Sequence, residues 1–200
     1  MSTPIPDAGA WRPRTSSSVS ENDAPLLGSR AAEIGLLIGL GGLVVLAHAS
    51  VHLPLKLPGH HGLEWMALLM FGRTLSRERH AATLVALSSA GLCGLPALGM
   101  SEPYMGLGYL LTGLGVDALH RWLRAPGPLT LGAVAGLAHL AKPLWKWLAV
   151  QGMGLQFGAI TAGAAYAFGS HLAFGFVGGV AGALAGTALR QRVDARNQGR

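Results

Sequence analysis

Residues 31–50 read AAEIGLLIGLGGLVVLAHAS, an apolar run broken only by Glu33, His48 and the closing Ser50. Crossing the hydrocarbon core of a bilayer takes ~20 mostly apolar residues in helical form, so this stretch has the length and composition of a membrane span. Working outward, similar stretches follow at 62–72 with its flanks, 81–99, 104–120, 129–150 and 170–189. The sequence therefore predicts an all-α, polytopic membrane protein of about six transmembrane helices.

Composition agrees. The chain is 50% hydrophobic and 12% charged, and a soluble domain carries roughly 25% charged residues. The net charge of +6 does not point to nucleic acid. Its basic residues sit in short clusters between apolar runs and form no continuous patch. The single cysteine, Cys93, excludes an intrachain disulfide framework. Residues 1–29, rich in Ser, Pro, Asp, Asn and Arg, lack the apolar core of a signal peptide and read as a disordered cytoplasmic tail. The expected organisation is this tail, a transmembrane domain over 30–190, and a basic cytoplasmic tail over 191–200.

The arginines orient the layout. Arg12, Arg14 and Arg30 precede the first span. Arg73, Arg77 and Arg79 lie between the second and third, and Arg121 and Arg124 between the fourth and fifth. Arg190, Arg192, Arg196 and Arg200 follow the last. Six spans put every arginine on one side, which the positive-inside rule makes cytoplasmic, with both termini inside. The expected location is the plasma (inner) membrane. Residues 152–168 are apolar and nearly long enough to span, but a further span would carry the basic C-terminus outside. They read as a long outer hairpin or a re-entrant piece. A rival layout makes 129–141 re-entrant and 152–168 the fifth span.

Six of the eight histidines lie toward the opposite surface, while His80 and His120 sit beside the arginines. His48 stands ~27 Å up a helix from Arg30, and His171 ~28 Å from Arg190. His52, His60 and His61 belong to the first outer loop and His139 to the outer half of the fifth segment. His139, Lys142 and Lys146 share one helix face by spacing, and ionisable groups within spans usually face the protein interior. Pro143 is expected to kink that helix. Glu64 begins the second span, Glu102 lies in the second outer loop, and Trp65, Trp145 and Trp147 lie at the same level. For Trp147 and Lys56 the expectation is an interfacial belt with a snorkelling amine.

The loop 51–65, VHLPLKLPGHHGLEW, is broken by Pro54, Pro58 and Gly59. It reads as a substrate lid, as an ordinary polar loop, or as part of a metal site, because imidazole suits zinc, nickel, copper or iron. The candidate substrate-binding residues are His52, His60, His61, Glu64, Trp65, His139, Lys142, Trp145, Lys146 and His171. The alternative reading is a histidine-based metal- or haem-binding membrane protein that uses His48, His52, His139 and His171. Asp117, near the inner end of the fourth span, is expected to cap a helix or pair with a nearby arginine such as Arg121. No nucleophile with a fixed acid partner stands out, so no enzyme is expected, and no resident cofactor. Small-residue rows occur at Ala31, Gly35 and Gly39, and at Gly175, Gly178, Gly179, Gly182 and Gly186. Such rows allow close backbone approach, to another part of the chain or to a partner.

The segments YLLTGLGVDALHRWL (109–123), SHLAFGFVGGVAGALAG (170–186) and LTLGAVAGLAHLAKPLWKWL (129–148), with the small-residue first span, resemble the substrate-binding S components of energy-coupling-factor vitamin transporters. The resemblance implies a vitamin-like small molecule held in an outward-facing pocket. It also implies a transmembrane coupling subunit and ATPase subunits as partners, since the chain has no G-x-x-x-x-G-K-[ST] phosphate loop of its own. It assigns Ala31, Gly35 and Gly39 to the coupling-subunit contact, although the family's alanine-x-x-x-alanine pattern is met only approximately. Met1, Ser2 and Thr3 depart from the nickel and cobalt members, which carry a histidine close to the initiator methionine.

Overall fold

The computed structural model describes residues 27–50, 57–95, 105–154 and 163–198. Most of the N-terminal tail, His52, Lys56 and Glu102 lie outside the described residues. Those described form seven helical segments and no strand: α1 Arg30–Ser50, α2 Gly62–Leu75, α3 Ala81–Cys93, α4 Met105–His120, α5 Pro128–His139, α6 Ala141–Met153 and α7 Ala164–Gln198.

Local chemistry sets most of the ends. The Ser29 hydroxyl accepts from the Ala32 N–H at 3.1 Å, satisfying one of the orphan donors at the start of α1. α5 begins with Pro128, whose missing N–H costs nothing at that position. α6 stops at Gly154, in the left-handed region at φ 67°.

The expected single helix over 129–150 is instead broken at Leu140, between α5 and α6. Pro143 has no N–H to give the carbonyl four residues back, and its ring crowds that carbonyl. That residue is His139, where α5 ends. The Leu140 N–H turns to Leu137 O at 3.2 Å, and the regular pattern resumes with Leu144 N–H to Leu140 O at 3.0 Å. Of the stretch 152–168, the described parts are the end of α6 and the start of α7, and residues 155–162 lie outside the description.

α2 is the central helix. None of its residues is exposed, and it packs against α1, α3, α5 and α7. The core about it includes Leu37, Val44, Trp65, Met66, Leu69, Met70, Val85, Tyr109, Val116 and Leu131. The glycines of α7 explain how it fits between α2 and α5. A Cβ at Gly178, Gly182 or Gly186 would strike the backbone carbonyl of Leu63, Ala67 or Phe71 on α2. At Gly175 or Gly179 it would crowd the α carbon of Gly136 or Gly132 on α5. This row thus serves packing within the chain. Gly35 and Gly39 on α1 differ: both are exposed, and a Cβ there would meet nothing among the described residues.

Two helices, α1 and α7, are long and apolar enough to cross a membrane. α2, α3, α4 and α5 have 14, 13, 16 and 12 residues, shorter than the ~20-residue spans expected for them. α7 has 35 residues. Its helix continues through most of the expected 191–200 tail, because Arg, Gln and Ala are good helix formers and Asp194 ties it down from within.

Candidate functional site

The helix directions sort the polar residues into two ends. At one end stand the C-terminus of α1, the N-termini of α2 and α4, the α5–α6 break and the first turns of α7. They bring together His48, His61, Glu64, Trp65, Tyr109, His139, Lys142 and His171.

The buried part is a chain of neutral hydrogen bonds. Trp65 donates its indole N–H to His139 Nε2 at 3.3 Å. An indole can only donate, so His139 carries its proton on Nδ1, which donates to the His171 carbonyl at 2.9 Å. His171 Nδ1 in turn lies 2.8 Å from the Ala167 carbonyl. Gly62 and Gly175 make room for the His139 ring, since a Cβ on either would run into it. Trp65 also meets Tyr109 edge-on, with ring centroids 4.7 Å apart. Above these rings sits a cation. The Lys142 ammonium lies 4.3 Å from the Tyr109 centroid and 5.3 Å from that of Trp65, a cation–π arrangement.

The other part is half-buried. His61 Nδ1 lies 2.8 Å from Glu64 Oε1, one helical turn away. The His61 ring is stacked, tilted, between His48 at 4.2 Å and His60 at 4.1 Å. His48 Nδ1 lies 3.3 Å from the Tyr109 hydroxyl. His48, His61 and Glu64 each offer a ligand atom, and these atoms all lie within 4.8 Å of one another. Two imidazoles and a carboxylate are a donor set that suits a first-row divalent metal.

The expected residues are therefore placed as follows. His60, His61, Glu64, Trp65, His139, Lys142 and His171 converge. Trp145, half-buried on α6, packs beside Ala149 and Ala167 and close to Gly108. Lys146 is half-buried and Trp147 exposed on the same helix. His52 lies outside the described residues. Of the four-histidine metal set, His48 joins His61 and Glu64 instead, and His139 already uses both ring nitrogens. Tyr109 was not anticipated, because an aromatic residue near the start of an apolar helix reads as ordinary core.

The other end gathers the arginines. Asp117 does not pair with Arg121. Its carboxylate accepts from the Ala82 and Thr83 N–H groups at 3.3 and 2.8 Å and from the Thr83 hydroxyl at 2.7 Å. It thus caps the first turn of α3 from α4, where the helix dipole favours an anion. It also faces Arg73 Nε at 3.6 Å. Arg73 donates to the Glu78 carbonyl at 2.8 Å and to His120 Nδ1 at 3.2 Å. Arg30 pairs with Glu78, and buried Glu33 accepts from Ser76 Oγ at 3.1 Å.

Comparison with known proteins adds no family: no protein-family model, curated protein or solved structure matches this chain.

Proposed function

We propose that the chain is a polytopic membrane protein whose histidine end faces outward and binds a small solute, as the substrate-binding component of an uptake system. The observation that carries this reading is the convergence of His61, Glu64, Trp65, Tyr109, His139, Lys142 and His171, from five helices, on one end of the bundle. A point-charge amine over two aromatic faces suits a ligand with an apolar or aromatic body and an anionic group. The vitamin-like class comes from the family resemblance alone.

The membrane reading is supported by the exterior. α1 exposes Ile38, Leu43 and Leu46; α3 exposes Leu87; α4 exposes Leu107 and Leu114; α5 exposes Leu129 and Leu137; α7 exposes Leu172, Val177 and Leu184. Water-soluble monomers rarely present apolar surface so continuously. The clustering of Arg30, Arg73, Arg77 and Arg190 at the other end fits a cytoplasmic side. The short helices α2 to α5 reach across in this reading with help from adjoining segments and local bilayer thinning. Energy comes from partner ATPases through a coupling subunit. The open face of Ala31, Gly35 and Gly39 supports that contact, as among the described residues nothing fills the space beside Gly35 or Gly39.

Native mass spectrometry of the gently purified protein tests the binding reading. One organic solute per chain is expected, with retention weakened at least about tenfold in Lys142→Ala, the loss expected when a charge-assisted contact is removed. Equal retention by Lys142→Ala overturns the assignment of the site.

A second reading has its own observation, the ligand group of His48, His61 and Glu64. There the solute is a divalent metal ion. Titration with Zn²⁺ or Ni²⁺ separates the two: a single metal site lost in His48→Ala and in His61→Ala supports the metal, and no saturable uptake by the unaltered protein removes it.

A further inference from the structure

The arginine end holds an open pocket of about 580 Å³, lined by Arg73, Arg77, Arg190, His120, Thr74 and Thr187 among others. Its walls come from the end of α2, the end of α4 with the following linker, the start of α5 and the polar half of α7. Nothing in the solute-binding reading of the histidine end uses these residues.

Charge in this cavity is one-sided. Three guanidinium groups face it, and the acid in its lining is Asp194. Asp194 lies between two of them, 3.3 Å from Arg77 and 3.8 Å from Arg190. Asp117 offsets Arg73 from behind. Even counted together, two carboxylates stand against three arginines. His120 adds a donor. Its Nδ1 accepts from Arg73, and an arginine can only donate, so the proton of the neutral ring is on Nε2. The site thus combines planar forked donors, hydroxyls and one imidazole N–H around a volume large enough for a small headgroup. Guanidinium forks match the oxygens of a phosphate in pairs.

We infer that this cavity is a second binding site, specific for a phosphate-bearing anion held by Arg73, Arg77 and Arg190. Two sources share that chemistry: the headgroup of an anionic phospholipid in the adjoining leaflet, and a free phosphorylated solute. The inference goes beyond the solute-binding reading and stands without it.

The test uses the full chain in neutral detergent, analysed by native mass spectrometry with three probes: phosphatidylglycerol, phosphatidylcholine and inorganic pyrophosphate. The unaltered protein is expected to retain one phosphatidylglycerol in preference to phosphatidylcholine, one pyrophosphate, or both. The doubly altered protein Arg77→Gln/Arg190→Gln is expected to lose at least about tenfold in that affinity, and Arg77→Lys/Arg190→Lys to recover part of it. Loss confined to phosphatidylglycerol identifies a lipid headgroup, and loss confined to pyrophosphate identifies a free solute. Gln191→Glu, an exposed change at the rim, keeps the test open if the double variant does not fold, because its added negative charge is also expected to weaken binding. The inference is overturned if the unaltered protein shows neither preference, or if the altered proteins bind as well as it does.

Discussion

The two ends of this bundle are both rich in polar side chains, yet they are held by different physics. At the arginine end the interactions are between full charges: Arg73 with Asp117, Arg77 and Arg190 with Asp194, and Arg30 with Glu78. At the histidine end they are mostly hydrogen bonds between neutral groups, running from Trp65 through His139 to His171 and Ala167. Among the described residues of that cluster, the amine is Lys142 and the carboxylate is Glu64. The difference teaches what each end is suited to. Buried charge pairs fix geometry, because removing one partner strands the other. The half-buried imidazoles of His48, His60 and His61 offer ring nitrogens of adjustable donor or acceptor role, which suits reversible binding.

This contrast fixes an order of expected effects. The largest belongs to Asp117→Ala. The Asp117 side chain is 2% exposed and that of Arg73 12%, so the change leaves a buried guanidinium without its carboxylate and uncaps α3. A loss of about 3–5 kcal/mol is expected, measured as denaturant unfolding in detergent. A loss under about 1 kcal/mol would remove the claim that buried charge holds this end. Next is Gly182→Ala, which tests the packing between the ends. Its Cβ would meet the Ala67 carbonyl, and overpacking of this kind costs about 1–3 kcal/mol, whereas Gly39→Ala on the open face of α1 should cost nothing and raise stability slightly, because alanine is the better helix former. Trp65→Phe at the histidine end keeps the aromatic packing and deletes one hydrogen bond to buried His139, for an expected loss of about 1–2 kcal/mol. The smallest effect belongs to Glu78→Gln. Its partner Arg30 has a 76% exposed side chain, so little or no stability should be lost. A larger loss would mean that Glu78 does more than pair at the surface.

Much of the fold was legible because apolar runs and their polar punctuation are local signals. The run at 31–50 became α1 within a residue, and 104–120 became α4 nearly so. The grouping of arginines also followed from counting helices. The break at Leu140 was half legible: Pro143 announced a kink, but its position follows from the carbonyl four residues earlier. Tertiary partners were not legible. Asp117 has Arg121 four residues on, the spacing of a helical pair, yet it reaches across to α3 and Arg73. Arg77 and Asp194 pair across a separation of 117 residues, so no spacing rule could reveal the arginine cavity. The histidine cluster was found by depth along helices, which explains why its membership was largely anticipated while Tyr109 was missed. The glycine row of α7 was visible, but whether it packed inward or awaited a partner depended on which helices lay beside it.

The proposal that these ends face opposite sides of a membrane has one direct test. In protein carrying Cys93→Ala, single cysteines are placed at Leu57, exposed beside the histidine cluster, and at Arg124, exposed in the α4–α5 linker. Each is then treated with a membrane-impermeant maleimide in intact and in permeabilised cells. Labelling of the Leu57→Cys protein is expected in intact cells, and of the Arg124→Cys protein only after permeabilisation. Labelling of both from the same side, or of Arg124→Cys alone in intact cells, would contradict the proposal.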